Sequence, residues 1–306
     1  MATEVGFEDV LVEDSAVAAV FFEEFGRIGL ANRLADLVVA HTLAIAGSDA
    51  PSMSYPIPGG EVPSLRADGG LDVDLMARCG GRGERAGTLL VLCGEDVVLI
   101  PTAGLERSSA PGFDIAGDWI RLRGNVSLQD SDIRVRNGAT FARPVVRAAL
   151  ASELCGIAQK INELAVEHVT SRHQFGKALG SFQSVRHRLA ETHVAIQAAR
   201  PVIESVWLCV ASTARQDDMA ALAMAAKALA GRAFEIASAS ANQVCGGMGL
   251  SWEHPLHTWV RRGSALNALY GRPNELSADL GRALARGCTL PAPDPLVDDD
   301  CQSPPK

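Results

Sequence analysis

Aromatic residues are scarce in this 306-residue chain: phenylalanine, tryptophan and tyrosine make up 5%, with only two tyrosines. Small aliphatic side chains must therefore fill the interior, which favours helices packed closely on helices. Positive charge is short too. The 28 Lys and Arg against 36 Asp and Glu leave a net charge of −8, so nucleic acid is not an expected partner. No apolar run reaches the ~18 residues of a bilayer span, and no membrane helix is expected. The start, Met1-Ala2-Thr3-Glu4, lacks the basic and apolar stretches of a secretion signal. The seven cysteines are odd in number and form no C-x-x-C pair, which argues against both zinc and a disulfide framework. His168, His173, His187, His193, His254 and His257 have spacings that build no metal site with a carboxylate. No Ser-His-Asp or Cys-His context is visible either. The expectation is a reduced, cytoplasmic protein without metal or a side-chain nucleophile.

What is present reads as an α+β chain, mostly α. Hydrophobic residues make up 47%, enough to bury a core without staples. Residues 1–47 form a reduced N-terminal helical region. Apolar side chains from Phe21 to Ile45 recur there at helical spacing, with Gly26 and Gly29 weakening the middle. Residues 48–143 form a loop-rich and β-strand middle region. Prolines and glycines punctuate it up to residue 86, and strands are expected after 87. Thr88–Cys93 and Val97–Ile100 flank Gly94-Glu95-Asp96, a short hairpin loop. Residues 144–288 form a C-terminal four-helix bundle, and residues 289–306, with five prolines and three consecutive aspartates, a disordered tail.

The bundle is read from periodicity. Leu150, Leu154, Ile157, Ile161 and Leu164 are spaced 4, 3, 4, 3, a buried stripe on one face. Pro144 suits a helix start, where its missing N–H costs nothing. A second helix carries Phe182, Val185, Leu189, Ile196 and Ile203. A third carries Leu222, Ala226, Leu229, Ala233 and Ile236. The last follows Pro273 and closes the bundle.

Two segments stand apart from these helices. The first is Ser171-Arg172-His173-Gln174-Phe175-Gly176-Lys177, followed by Phe182-Gln183. Arg172 is a forked cation suited to phosphate or carboxylate, Phe175 an aromatic that can stack on a flat ligand, and Gly176 a helix stop or turn. The bland alternative has Arg172 capping carbonyls, Phe175 plugging the interhelix gap and Gln183 merely solvated. The second segment is Gln243-Val244-Cys245-Gly246-Gly247-Met248-Gly249. Its glycines allow close backbone approach to a ligand, or simply stop a helix. It follows a helix rather than a strand, so it is no dinucleotide fingerprint.

Together these motifs resemble the C-terminal half of the acyl-CoA dehydrogenase family: Arg-x-x-Phe-Gly, Phe-Gln, then Gln-x-x-Gly-Gly-x-Gly about sixty residues on. Trp252-Glu253-His254 and Glu153 before Cys155-Gly156 are similar to actinobacterial members that degrade steroids. Phe22-Glu23-Glu24-Phe25-Gly26-Arg27 resembles a helix of the N-terminal domain. The resemblance implies FAD as cofactor and an acyl-CoA thioester as substrate. It implies that Arg172 contacts the FAD pyrophosphate, that Phe175 and Gln183 contact the adenosine half, and that Gln243, Gly246 and Gly247 contact its other side. The chain is shorter than full-length members and lacks the strand segment that faces the flavin ring. That resembles the shortened subunit of an α2β2 heterotetramer, paired with a larger acyl-CoA dehydrogenase subunit. The family's base glutamate falls at Tyr270 or at Val146, neither of which accepts a proton at neutral pH. Glu153, Glu253 and Glu275 lie nearby in sequence but out of register. The resemblance therefore implies no catalytic residue here, with the base on the partner. A different reading is a silent structural subunit touching neither FAD nor substrate. A DNA-associated relative is disfavoured by the net charge.

Overall fold

The computed structural model describes residues 15–45, 51–60, 62–78, 87–110, 112, 114, 117–128, 134–211 and 216–290. The N-terminal tetrapeptide and the tail beyond 290 lie outside them. The first helix, α1 (Ser15–Ile28), is followed by α2 (Leu34–Thr42). Gly29 does not weaken a helix; at φ 75° it ends α1, and Leu30 N–H donates back to Phe25 O at 3.0 Å, the closing bond of a glycine helix stop. Gly26 lies inside α1 for a packing reason. A Cβ on it would overlap the backbone of Glu153, and one on Gly156 would overlap Glu23. The two bare positions let α1 and the first bundle helix cross backbone to backbone.

The middle region is more ordered than its prolines and glycines suggest. It holds β1 (Ser52–Pro56), β2 (Gly70–Arg78), β3 (Thr88–Cys93), β4 (Asp96–Pro101), β5 (Glu106–Ser109), β6 (Trp119–Ser127) and β7 (Arg134–Val135). They form one sheet in the order β5-β6-β2-β1-β3-β4-β7, and only the β1–β3 pairing is parallel. The β3–β4 loop is Gly94-Glu95, with Gly94 at φ 62°. The runs Leu89–Cys93 and Val97–Ile100 are apolar on both faces because both faces are covered. Leu90, Leu92, Val97 and Leu99 join the main core, while Leu89, Val91, Val98 and Ile100 pack with Leu71, Val73, Leu75 and Leu122 in a second one.

The bundle consists of α3 (Gly138–Ser171), α4 (Gln183–Ala211), α5 (Gln216–Cys245), α6 (Leu256–Asn267) and α7 (Pro273–Ala285). Pro144 does not open α3: the helix begins six residues earlier and carries the proline inside, giving up one backbone bond there. Nor is burial of α3 confined to a stripe. Val145, Val146, Ala148, Ala149, Ala151 and Ala158 are buried beside the expected leucines, because α3 is the central helix. On α5 the expected stripe is rotated. Leu229 is exposed, and the buried line runs through Leu222, Ala226, Ala230, Ala233, Ala237 and Ala241. Alanine at these sites keeps α3 and α5 close. By length and hydropathy α4 is apolar enough to span a membrane, but Leu189, Ile196, Ile203 and Trp207 are buried in the bundle core.

A buried charge cluster joins the three regions. Glu153 of α3 takes Arg78 of β2 at 3.0 Å and Arg262 of α6 at 2.9 Å. Arg262 also donates to Asp114 at 2.9 Å and to Leu30 O at 3.0 Å, and Arg78 donates to Asn32 O at 2.9 Å. Two cations and two anions balance. Removing one partner strands a buried charge at a cost of about 3–5 kcal/mol, so Glu153→Ala should lower unfolding free energy by that much. A loss below about 1 kcal/mol in urea titration would remove the cluster's structural role. Nearby Asp36 is buried, and desolvation pushes its carboxyl up to about 6 despite Arg33. The folded chain then holds this proton more tightly than the unfolded one, so Asp36 loses stabilising power as pH rises from about 4 to 6. Asp36→Asn should gain up to about 3 kcal/mol over the parent at pH 7, with the gap narrowing toward pH 4. A pH-independent gap would refute this.

Candidate functional site

One end of the bundle gathers the residues singled out from sequence. Helix α3 ends at Ser171, and Arg172 turns into extended backbone at φ −79° and ψ 124°. Next comes a small hairpin, β8 (His173–Gln174) and β9 (Lys177–Ala178). Its turn residues Phe175 and Gly176 sit at φ 54° and 78°, as a tight two-residue hairpin turn demands. Gly176 is thus a hairpin residue and not a helix stop. Phe175 does not plug the interhelix gap. It is 88% exposed, edge-on to Phe182 with centroids 6.2 Å apart, and it holds a backbone conformation strained for an aromatic residue. Arg172 caps α3 only through its backbone N–H, to His168 O at 2.9 Å. Its exposed guanidinium has no partner among the described residues.

Gln183 opens α4 in the open, 3.3 Å from the His187 ring. Helix α5 runs antiparallel to α4, so its end returns to the same place. Gln243 is exposed in its last turn, and Gly246 and Gly247 follow in a 3-10 turn, Gly246–Leu250. No atom lies within 4 Å of where a Cβ on either glycine would stand. The space above them is open to a ligand. Gly249 is the glycine the fold itself needs: a Cβ there would meet Cys245 Cβ at 2.9 Å and Leu256 Cδ2 at 3.1 Å. Trp252, 78% exposed, stands beside this turn. His168 is also at this end, its pKa lowered by burial and by the neighbouring His254 and Arg172.

The opposite end, where sheet meets bundle, carries an aromatic cluster. Tyr270 has φ 52° and its hydroxyl donates to Ser54 O at 2.6 Å. Its ring meets Tyr55 at 5.7 Å, and Tyr55 meets Trp119 at 5.1 Å, both edge-on. Burial raises both tyrosine pKa values. A cavity of about 350 Å³ remains, lined by Arg143, Arg147, Tyr270, Leu92 and Gly59 among others. Lys227, which sequence reading passed over, is buried and donates to Asn267 O at 3.2 Å and Gly271 O at 3.4 Å. Burial lowers its pKa to about 7, with Arg147 adding to the effect. Arg147 donates to Tyr270 O at 3.1 Å. Two cations thus hold the carbonyls of the Tyr270 turn. Val146 is buried and carries no proton chemistry. Glu153 is locked between its arginines, Glu275 accepts from Arg272 N–H as a helix cap, and Glu253 is exposed at the other end.

Residues 143–284 match the family model described as the acyl-CoA dehydrogenase C-terminal domain. These residues, just under half of the chain, carry an acyl-CoA dehydrogenase C-terminal domain. Among its relatives is acyl-CoA dehydrogenase IpdE2 of Mycobacterium tuberculosis, 37% identical over 127 residues, which cover 42% of this chain and 37% of that one. The match thus spans less than half the length of that curated relative. Two solved structures share the fold. The ChsE4-ChsE5 complex of Mycobacterium tuberculosis matches with a TM-score of 0.71 at 20% identity, over 90% of this chain and 80% of that one. The Tcur3481-Tcur3483 steroid ACAD matches with a TM-score of 0.71 at 20% identity, over 89% and 81%. The acyl-CoA dehydrogenase fold therefore extends through the sheet and α1 as well as the bundle. Gly249→Ala should destabilise the chain by about 1–3 kcal/mol through overpacking, and Gly247→Ala by less than about 0.5 kcal/mol. Thermal melts of the pair check this, and equal melting temperatures would contradict it.

Proposed function

We propose that this chain is the smaller subunit of a heteromeric, FAD-dependent acyl-CoA dehydrogenase of α2β2 form. It works in the cytoplasm on a CoA thioester of steroid origin. The observation that carries this reading is the contrast between the two ends of the bundle. At one end an unpaired guanidinium, an exposed aromatic, two exposed glutamines and an open glycine turn stand together. At the other, an aromatic cluster borders a cavity whose two wall carboxylates, Glu275 and Asp279, are engaged by Arg272 N–H and Arg282. The open end fits the pyrophosphate–adenosine half of FAD. Arg172 holds the pyrophosphate by charge-assisted hydrogen bonds. Phe175 and Gln183 border the adenosine, and Gln243, Gly246 and Gly247 close on it from the other side. Bound FAD supplies a hydride acceptor for the thioester's β carbon. The base that takes the α proton belongs to the larger subunit, together with the flavin-ring face. The heteromeric neighbours of like fold, one named as a steroid ACAD, support a partner chain and a steroid substrate.

Co-expression with candidate larger subunits is the direct test: the expected product is a yellow complex eluting as one peak. A monomer that binds FAD unaided would refute the assignment. In the complex, Arg172→Ala removes a hydrogen bond to a charged group, worth about 1.5–3 kcal/mol. Flavin retention should fall about ten- to a hundredfold with the melting temperature held. Unchanged flavin content would leave a structural subunit only. Gln at Glu153, Glu253 or Glu275 should keep turnover per bound flavin within about tenfold, whereas losing a general base costs about 10²–10⁴-fold. A collapse in one of them, with FAD retained, would place the base in this chain.

A further inference from the structure

Three segments far apart in sequence meet at the open end of the bundle, each with a metal-ligating side chain. His168 comes from the last turn of α3, Cys245 is the final residue of α5, and His254 lies in the loop before α6. One ligand atom from each falls within 4.8 Å of the other two. Cys245 is 5% exposed, both imidazoles are half-buried, and the two rings meet edge-on at 5.8 Å. Neither the His168 ring nor the Cys245 thiol has a hydrogen-bond partner among the described residues. The His254 Nδ1 accepts from Leu256 N–H at 3.2 Å.

We propose that His168, Cys245 and His254 form a three-ligand site for a divalent cation of the zinc class, with a fourth position open to water. Two imidazoles and a thiolate are a borderline-soft donor set that suits zinc, cobalt or copper, whereas magnesium and calcium want oxygen. Bonds of ~2.1 Å to nitrogen and ~2.3 Å to sulfur set neighbouring donors ~3.5 Å apart in a tetrahedron. Metal binding would require a half-buried ring to rotate and close that gap from the present spread. Metal uptake displaces the thiol proton to solvent and leaves Cys245 as thiolate. It also breaks the Leu256–His254 bond or turns the ring over, exchanging one neutral hydrogen bond for a stronger metal–nitrogen bond. The site departs from the expectation drawn from histidine spacing, because no two of its ligands belong to one short motif. It would tie the ends of α3 and α5 together, four residues before Arg172 and one before Gly246, and so fix the two motif segments against each other.

Chelator-treated full chain titrated with Co²⁺ and then Zn²⁺ tests the site without reference to catalysis. The expected result is one Co²⁺ per chain with a near-ultraviolet thiolate-to-cobalt absorption band, bleached on adding Zn²⁺. Cys245→Ser should abolish the band. His168→Gln, at a half-exposed position, should weaken Zn²⁺ binding at least about a hundredfold, since even outer-shell partners are worth about 10–100-fold. Circular dichroism checks that both variants are folded, and His168→Gln carries the test alone if Cys245→Ser is not. The absence of the near-ultraviolet band in the parent chain, or Zn²⁺ affinity unchanged in folded His168→Gln, would overturn the proposal.

Discussion

The buried Glu153 carboxylate is the point on which the three regions of this fold depend. It sits in the central helix and takes one arginine from the sheet, Arg78, and one from the bundle, Arg262. Those arginines in turn bind the backbone of the loop between α1 and α2, at Asn32 and Leu30. A charge this deep is tolerable only when paired and hydrogen-bonded on every side. The pairing therefore fixes where the N-terminal helices, the sheet and α6 stand. The glycine crossing of Gly26 and Gly156 brings α1 close enough for this to happen. The same arrangement has a chemical consequence. A carboxylate held by two guanidiniums cannot turn to abstract a proton from a substrate, so Glu153 is spent on structure.

With the regions fixed, topology sets the site. Helices α3, α4 and α5 alternate in direction, so the end of α3, the start of α4 and the end of α5 share one face. That places Arg172, Gln183 and Gly246 near one another although about sixty residues separate the motifs. Among the described residues nothing satisfies the Arg172 guanidinium, and nothing fills the space above Gly246 and Gly247. Such an end would gain stability by acquiring an anion and a covering surface, which the proposed subunit and cofactor would supply.

Legibility from sequence followed local physics. The helices were readable where apolar spacing was regular, as in Leu150 to Leu164, and the hairpin at Gly94 where turn chemistry was explicit. Strands β1 and β2 were hidden by the prolines and glycines around them, since Ser52–Pro56 and Gly70–Arg78 gain their order from pairing with partners elsewhere in the chain. The Leu229 face was misjudged because alanines serve as core residues in α5, and spacing alone cannot tell a core alanine from a neutral one. The motif residues stand out by type and order, and the fold gathers them at one end of the bundle. The contribution of Lys227 was not found, because a lone lysine in an alanine-rich helix reads as a solvated residue. The His168–Cys245–His254 cluster exists only in three dimensions.

The sheet–bundle junction shows how the fold accommodates a tyrosine at position 270. Tyr270 occupies a left-handed backbone position, an unusual place for a bulky residue. Its strain is offset by its hydroxyl on Ser54 O, its ring on Tyr55, and its own carbonyl on Arg147, while Lys227 holds the next carbonyl. An ionised glutamate in this setting would lack the aromatic contact and would lie in a desolvated pocket, whereas the phenol stays neutral at every physiological pH. The junction is thus organised around neutral aromatic side chains, and the opposite end presents an open surface with the Arg172 guanidinium exposed. The proposed second chain would meet the protein at that open end.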